Sequence, residues 1–435
     1  MRKKKFILIS LIVVLVFMIS GCVIFPSELS SVYLPKGNYD KALFFRTDVS
    51  NVEFNGLPLE KKEGYYVLAY EKAAGLDYGT VRYESSNGQM HTEKVFFRDT
   101  SFQMVIYSGG DNSLTSWTDH IWEDLSEICD AVANSSLNMT VNFIADYKSK
   151  PDRLWTVYKF EGSYACIERL IETYNSGEAE IDSGSCAVAE SIILEVASEN
   201  KNTDLFLDFW NHGSGWLDES YVKSMKSIVQ DSTSGTFLKI GDVRSILSSL
   251  KQKRGRNTDI VGFDACNMSC LEIIYEVSEL ADYFVGSAFL EDVQGWHYEF
   301  LKEYIGNNEE LLKTLVSSYA KYYKGYRNIS MSAVRLRGFK SFIKESLCSI
   351  KSRQELLPVY YLGSFEAVMT DVIQSIPQIK EFLVSGYVYT DKTENYSGIG
   401  FAYSIGSLIA KQDYKQLLFY KDNSSWIESV WGSLK

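Results

Sequence analysis

Residues 205–216 read LFLDFWNHGSGW and residues 259–270 read DIVGFDACNMSC. Each stretch opens with a run of apolar residues that is long enough for one buried strand, and each run ends in polar or small residues. The carboxyl ends of parallel strands meet at one edge of a sheet, where α/β proteins place their binding and catalytic sites. The two stretches therefore predict a site that contains His212 from the first strand end and Cys266 from the second.

The chain after residue 100 alternates between strand and helix patterns. Apolar strand patterns occur at residues 102–107, 138–145, 204–210, 259–263 and 283–285. Apolar residues with helical spacing occur between them, at residues 114–133, 187–199, 240–250 and 269–280. This alternation predicts an α/β fold with a mostly parallel sheet that is covered by helices on both faces.

Two glycines that follow His212 favour a functional role for the edge of the sheet where the predicted strands end. Gly213 and Gly215 allow the backbone to bend and to bring its N–H groups close to a ligand, as in an oxyanion hole. The alternative is that His212 only caps the strand or packs in the core. Cys266 is predicted at the N-terminus of the helix over residues 269–280, where the helix dipole favours the thiolate over the thiol.

Cys270 is predicted to lie inside the same helix as a small core residue. The alternative is a metal or redox pair of Cys266 with Cys270. The chain has only 4 His and no Cys-x-x-Cys pair, which leaves too few ligands to complete a metal site. No metal ligand and no disulfide framework are therefore predicted.

The segments 212–216 (HGSGW) and 263–266 (FDAC) resemble the motifs of the clostripain family of cysteine peptidases, which belongs to the caspase-like clan. Looser similarities to this family occur at residues 104–112, 231–235, 287–298 and 397–403. The resemblance spans about residues 102–435 and implies a caspase-like fold. It also implies hydrolysis of peptide bonds by a Cys/His dyad.

The resemblance further implies which groups carry out the reaction. Cys266 is the expected nucleophile, and His212 is the expected base that takes its proton and later protonates the leaving amine. The backbone N–H groups of Gly213 and Cys266 are the expected oxyanion donors. The pattern requires no third catalytic residue.

Acidic residues near Cys266 are expected to set the substrate preference. Asp264 lies two residues before Cys266 on the same predicted strand, so the two side chains are expected to share a face. The resemblance implies that Asp264 receives an Arg or Lys side chain at P1, with Glu291 and Asp292 as further substrate-binding carboxylates. Gln294 stands where some relatives carry another acid. The alternative is that Asp264 is structural and accepts local N–H groups.

Two other functions remain open from the residues alone. One is a caspase-like binding lipoprotein that has lost turnover, although the presence of both His212 and Cys266 argues against it. The other is a non-proteolytic acyl hydrolase or transferase that uses the same dyad.

The N-terminus has the pattern of a bacterial lipoprotein signal. Basic residues 2–5 precede an apolar run at residues 6–19, which is short for a membrane span. Residues 19–22 read ISGC and resemble a lipobox, so residues 1–21 are the predicted signal peptide and Cys22 is the predicted site of lipidation. The predicted location is extracytoplasmic and anchored to a bacterial membrane. The alternative is an ordinary secretory signal or an uncleaved anchor.

The remaining segments complete the predicted domain organisation. Residues 22–37 are predicted to form a tether. Residues 38–99 contain short alternating runs separated by turn signals, which predicts a small β-sandwich-like domain. Residues 100–435 are then the predicted clostripain-like peptidase domain.

Composition limits the partners. The chain carries 44 Lys and Arg against 56 Asp and Glu, a net charge of −12. This charge disfavours nucleic acid and favours peptide or protein substrates with basic residues. The sequence requires no cofactor and has no EF-hand loop. The family resemblance alone makes calcium a possible cofactor. Lys223 and Lys226 in the polar stretch 217–235 predict self-cleavage if the enzyme prefers basic residues.

Overall fold

The computed structural model describes residues 28–431, apart from residues 31–32, 38, 63, 117, 161–162, 172–179, 218–227, 327–328, 353–366, 390–395 and 406–407. Two sequence predictions lie outside the described residues: lipidation at Cys22 and self-cleavage near Lys223 and Lys226. Within the described ranges, no helix combines the length and the apolar character needed to cross a membrane. The described residues divide into two compact units, one formed by residues 28–34, 41–68 and 75–97 and the other by residues 35–40, 69–74 and 98–431.

The first unit is a small all-β region, as predicted. Its strands are β1 (Tyr33–Pro35), β2 (Lys41–Leu43), β3 (Val49–Phe54), β4 (Leu57–Pro58), β5 (Glu60–Lys62), β6 (Tyr65–Leu68), β7 (Tyr78–Ser85) and β8 (Met90–Arg98). They form one sheet in the order β1-β8-β7-β3-β4 and a second in the order β2-β6-β5. Side chains along β7 alternate between exposed and buried, which is the pattern of a strand with one face on a core.

The second unit contains a nine-stranded sheet in the order β12-β11-β10-β9-β13-β16-β17-β18-β20. Its strands are β9 (Phe102–Gly110), β10 (Met139–Tyr147), β11 (Arg153–Phe160), β12 (Ser163–Leu170), β13 (Asp204–Trp210), β16 (Thr258–Asp264), β17 (Ala281–Gly286), β18 (Ile329–Arg335) and β20 (Leu383–Tyr389). The neighbours from β10 to β17 are parallel, whereas β11, β18 and β20 pair antiparallel with their neighbours. The predicted mostly parallel sheet is therefore confirmed. Two short pairs lie beside it: β14 (Ile228–Gln230) with β15 (Phe237–Leu238), and β19 (Ala367–Asp371) with β21 (Gly400–Ile405).

Helices cover both faces of this sheet. They are α2 (Ser113–Ser116), α3 (His120–Asn134), α4 (Cys186–Val196), α5 (Ile240–Arg254), α6 (Leu271–Val277), α7 (Asn308–Tyr322), α8 (Phe339–Leu347), α9 (Leu408–Gln416) and α10 (Leu418–Trp431), whereas the one-turn helix α1 (Tyr70–Ala73) follows β6. Ile193 of α4, Leu247 of α5 and Ile274 of α6 belong to one apolar core, whereas Ile128 of α3 and Leu315 of α7 belong to another. Two cores on opposite faces explain why β9, β10 and β16 are buried along their whole length.

The helix predicted over residues 114–133 is two helices, α2 and α3. Asp119 is the N-cap of α3, and its side chain accepts a hydrogen bond from the N–H of Trp122. An aspartate in this position satisfies a backbone donor that has no partner within the helix, so it starts a new helix instead of continuing the previous one. The apolar spacing carried no sign of this break, because both helices pack toward the sheet.

Candidate active site

The carboxyl ends of β13 and β16 lie side by side in parallel register. Trp210 of β13 is the register partner of Asp264 of β16. The N–H of Asn211 then donates to the carbonyl oxygen of Asp264 at 3.2 Å. His212 and Cys266 each follow the last paired residue by two positions, so the sheet brings both side chains to the same edge, as the sequence predicted.

A cleft opens at this edge. It contains all of the predicted catalytic and substrate-binding side chains. Its lining residues are Leu114, Trp210, Asn211, His212, Asp264, Ala265, Cys266, Glu291, Asp292, Val293 and Gly295. A thiol, an imidazole and three carboxylates therefore face one cavity.

His212 is held by residues that follow β9, the other neighbour of β13. Its Nε2 shares a hydrogen bond of 2.9 Å with the hydroxyl of Ser113. The side chain of Asn211 accepts from the N–H of His212 and donates to the carbonyl of Gly109. Burial lowers the pKa of His212 from its ordinary value of 6.5, because the charged imidazolium loses its hydration. His212 is therefore a neutral imidazole at neutral pH.

The thiol of Cys266 contacts the backbone of Glu291. The N–H of Glu291 donates to Sγ at 3.2 Å, and Sγ lies 3.8 Å from the carbonyl oxygen of the same residue. Burial raises the pKa of the Cys266 thiol above its ordinary value of 9.0. The backbone N–H groups of Glu291, Cys266 and Gly213 oppose this rise. The two predicted oxyanion donors, the N–H groups of Gly213 and Cys266, are among the groups that favour the thiolate.

The predicted position of Cys266 at a helix N-terminus is wrong. Asn267 has a left-handed φ of 61°, which interrupts any helix that begins at Cys266. Helix α6 begins only at Leu271, with Cys270 as its extended N-cap residue. Cys270 is buried as predicted but lies before the helix and not inside it. The helix dipole therefore gives the Cys266 thiol no direct support, consistent with its raised pKa.

The carboxylate of Asp264 lies at the floor of the cleft and is only 4% exposed. It accepts hydrogen bonds from the N–H of Trp296 at 3.1 and 3.0 Å and from the hydroxyl of Tyr298 at 3.0 Å. Burial raises the pKa of Asp264 to about 6, which leaves it ionised at neutral pH. Asp264 is the last residue of β16, and Cys266 lies in the turn that follows. Both side chains line the cleft because of the path of this turn and not because of strand alternation.

Glu291 and Asp292 line the same cleft. Burial, followed by the charge of Asp264, raises the pKa of Glu291 well above its usual range. Glu291 is therefore largely protonated at neutral pH, and the ionised carboxylate beside it belongs to Asp264. The floor of the cleft carries less negative charge than three independent carboxylates would.

Three residues at this site were missed by sequence reasoning. Ser113 contacts the His212 ring, and the hydroxyl oxygen of Tyr298 lies 3.0 Å from a carboxylate oxygen of both Asp264 and Asp208. Ser113 follows the Gly-Asp-Asn turn after β9, so the rule that sites lie at strand ends could have identified it. No sequence pattern indicated a role for Asp208 at the site, because this residue lies in the middle of β13 within an apolar run.

Comparison with known proteins agrees with this geometry. The model of the clostripain family matches residues 106–354. An inactive zymogen C11 protease from Parabacteroides distasonis superposes with a TM-score of 0.59 at 21% identity, covering 75% of this chain and 99% of that one. A secreted C11 cysteine protease from Bacteroides thetaiotaomicron, in complex with an irreversible peptide inhibitor, gives 0.59 at 19% identity with the same coverage. No curated protein matches the chain.

These structural likenesses establish the caspase-like fold, and the family match covers more than half of the chain. The match includes both strand ends that bear His212 and Cys266. The chain belongs to the clostripain family and is a cysteine peptidase.

Proposed function

We propose that this cysteine peptidase cleaves peptide bonds after Arg or Lys with a dyad of Cys266 and His212, outside the cytoplasm and anchored by a lipid on Cys22. The observation that carries the proposal is the single cleft lined by the thiol, the imidazole and the ionised carboxylate of Asp264. An extended peptide bound in this cleft would contact the nucleophile, the base and the cation-binding group together.

The reaction begins from a neutral pair, because burial raises the pKa of Cys266 and lowers that of His212. Nε2 of His212 is engaged by Ser113, which leaves Nδ1 to accept the thiol proton as sulfur attacks the carbonyl carbon. A C–S bond forms, the C–N bond breaks, and the proton passes from His212 to the leaving amine. Water then hydrolyses the thioester and restores the thiol.

The oxyanion that forms during attack is assigned to the N–H groups of Gly213 and Cys266. Both N–H groups favour negative charge on Sγ, and a carbonyl carbon bonded to that sulfur would carry its oxygen close to the same sulfur. Glycine is required at position 213, because an added Cβ would lie 2.3 Å from the carbonyl oxygen of Cys266. This close approach supports the oxyanion assignment.

Preference for a basic P1 residue is assigned to Asp264, assisted by Asp292. Hydrogen bonds from Trp296 and Tyr298 fix the Asp264 carboxylate without neutralising it. Arg pairs with such a carboxylate through two N–H groups, whereas Lys meets it as a point charge. The structural role of Asp264 and its binding role are therefore compatible.

An irreversible probe tests the dyad. An acyloxymethyl ketone peptide with Lys at P1 is expected to label Cys266, identified by mass spectrometry of the digested protein. Cys266→Ala and His212→Ala should lower peptide turnover on the order of 10³-fold or more. Cys348→Ala is the matched control, because this exposed thiol lies outside the cleft. Labelling that persists in Cys266→Ala would disprove the dyad.

A further inference from the structure

The segment 294–298 holds the carboxylate of Asp264, although residues 294–297 belong to neither a strand nor a helix. The segment leads from β17 into a short 3₁₀ helix, Tyr298–Glu303. Its N–H at Trp296 and its hydroxyl at Tyr298 are the groups that donate to Asp264. A loop without ladder hydrogen bonds keeps one conformation when side chains of neighbouring elements hold its polar groups. The position of the Asp264 carboxylate therefore depends on what holds this segment.

Glu127 on α3 holds the end of the segment with both of its carboxylate oxygens. Oε1 shares a hydrogen bond of 2.6 Å with Nδ1 of His297, and Oε2 accepts from the N–H of Tyr298 at 2.9 Å. Contacts from one carboxylate to two adjacent residues fix both the position and the orientation of the chain at that point. The second contact is made to the residue whose hydroxyl reaches Asp264.

Helix α7 and the residue after it hold the beginning of the segment. The hydroxyl of Tyr322 donates to Oε1 of Gln294 at 3.1 Å, and the hydroxyl of Tyr323 donates to the carbonyl of Gly295 at 2.7 Å. The ring of Tyr322 also stacks on the ring of His297, with centroids 4.9 Å apart. The segment is therefore held from two sides, and α3 supplies the contact nearest to Tyr298.

We infer that Glu127 is a positioning residue for substrate recognition: it holds Tyr298 and thereby places the Asp264 carboxylate that receives the P1 side chain. Glu127 lines a neighbouring cavity that shares Gly295 with the catalytic cleft, so it acts through Asp264 and not by touching the substrate. The recognition role rests on the proposed function, whereas the contact with the segment does not. No sequence pattern indicated this residue, because Glu127 and His297 are 170 positions apart.

Two substitutions separate the position of the segment from the charge of Glu127. Glu127→Ala removes both contacts. Glu127→Gln removes the charge but retains an oxygen that can accept from the N–H of Tyr298. The distinction is needed because the charge of Glu127 also acts on Asp264 directly and contributes to its raised pKa. If Glu127 acts by position, Glu127→Ala should have the larger effect.

The kinetic test compares kcat/KM for peptides with Lys and with norleucine at P1. In Glu127→Ala the ratio of Lys to norleucine should fall at least about threefold, mainly through a higher KM for the Lys peptide. Turnover of the norleucine peptide and the ratio in Glu127→Gln should stay close to wild type. Glu123→Ala is the matched control, because Glu123 lies one turn earlier on α3 and contacts His120.

A double substitution shows whether Glu127 acts through Asp264. Adding Glu127→Ala to Asp264→Asn should lower the ratio no further, because the effects of two residues that act through one contact do not add. Additive losses would overturn the inference. Equal losses for the Lys and norleucine peptides would also overturn it, as would an unchanged ratio in Glu127→Ala that circular dichroism shows to be folded.

Hydrogen exchange tests the contact without any assay of activity. Peptides that cover residues 294–298 should exchange faster in Glu127→Ala than in the wild type, whereas Glu123→Ala should match the wild type. Unchanged exchange in Glu127→Ala would overturn the inference. Faster exchange, together with a wild type that shows no preference for Lys at P1, would refute the proposed role of Asp264 and leave Glu127 as the residue that holds the segment.

Discussion

At the scale of single residues, the protonation of Cys266 and His212 decides how the reaction starts. Burial raises the pKa of Cys266 and lowers the pKa of His212. Both groups are therefore neutral at a pH between these two pKa values. In a preformed ion pair the thiolate would exist at neutral pH, and its pKa would lie far below the ordinary 9.0. The structure therefore favours proton transfer during attack over a resting thiolate.

The first prediction follows from these two shifts. The ultraviolet absorbance of thiolate, taken as the difference between wild type and Cys266→Ser, should be absent at neutral pH and appear only in the alkaline range. Turnover should fall on acidification only below the ordinary His pKa of 6.5, where His212 becomes protonated. A thiolate signal already present at neutral pH would contradict the neutral pair.

Asp264 gives a second prediction at this scale. Its raised pKa means that the carboxyl is neutral below about pH 6 and charged above it. The ratio of kcat/KM for Lys to that for norleucine at P1 should therefore rise as pH increases through this value. In Asp264→Asn the ratio should fall roughly tenfold or more and lose its pH dependence. Asp130→Asn is the control with equal charge loss, and an unchanged ratio in Asp264→Asn would make Asp264 purely structural.

At the scale of elements, the turns after the strands determine the site more than the helices do. The left-handed Asn267 delays α6 to Leu271, which separates Cys266 from the positive end of that helix. Gly295 has a φ of 58°, and a Cβ there would lie 2.5 Å from the carboxylate of Asp264. The loop that carries Trp296 and Tyr298 can therefore approach Asp264 only with glycine at this position.

Gly213 provides the prediction at this scale. Gly213→Ala places a Cβ against the carbonyl of Cys266, so the turn must shift and carry the N–H donor away. Turnover should fall about 10²- to 10³-fold, the usual cost of losing one oxyanion donor. Gly241→Ala in α5 is the control, because a Cβ there meets nothing within 4 Å and turnover should not change. Full activity in folded Gly213→Ala would remove this donor from the mechanism.

At the scale of the whole molecule, net charge acts on substrates before they reach the cleft. The chain carries −12, and four of its positive charges lie in the predicted signal peptide. A negative body raises the encounter rate of cationic peptides, and salt screens this effect over about 10 Å at 0.1 M. Between about 20 mM and about 500 mM salt, kcat/KM for a Lys-rich peptide should fall several-fold, while that for an uncharged peptide changes little. Equal salt dependence of both peptides would show that long-range attraction is not used.

Membrane attachment is the second prediction at this scale. The short apolar run and the ISGC sequence at residues 19–22 predict a lipid on Cys22. Metabolic labelling with an alkyne fatty acid should mark the wild type and spare Cys22→Ala, whose peptidase cleft is unaltered. Equal labelling of the two proteins would contradict lipidation.

The sequence alone predicted the features that depend on residues close to one another along the chain. Apolar runs of strand length predicted β13 and β16, and the residues after those runs identified His212 and Cys266 as members of one edge. This works because a parallel strand buried on both faces must be apolar along its length, and because parallel strands end on the same side. Local pattern also carried the motifs by which the family was recognised.

Only the tertiary structure decided which distant groups meet and how deeply they are buried. Ser113 reaches His212 across 99 positions of the chain. The sign of the Cys266 pKa shift depends on desolvation, which the surrounding chain produces after folding. The sequence pattern predicted a helix terminus at Cys266, but that helix begins five residues later. Burial and long-range contact are properties of the packed molecule, and no local run of residues contains them.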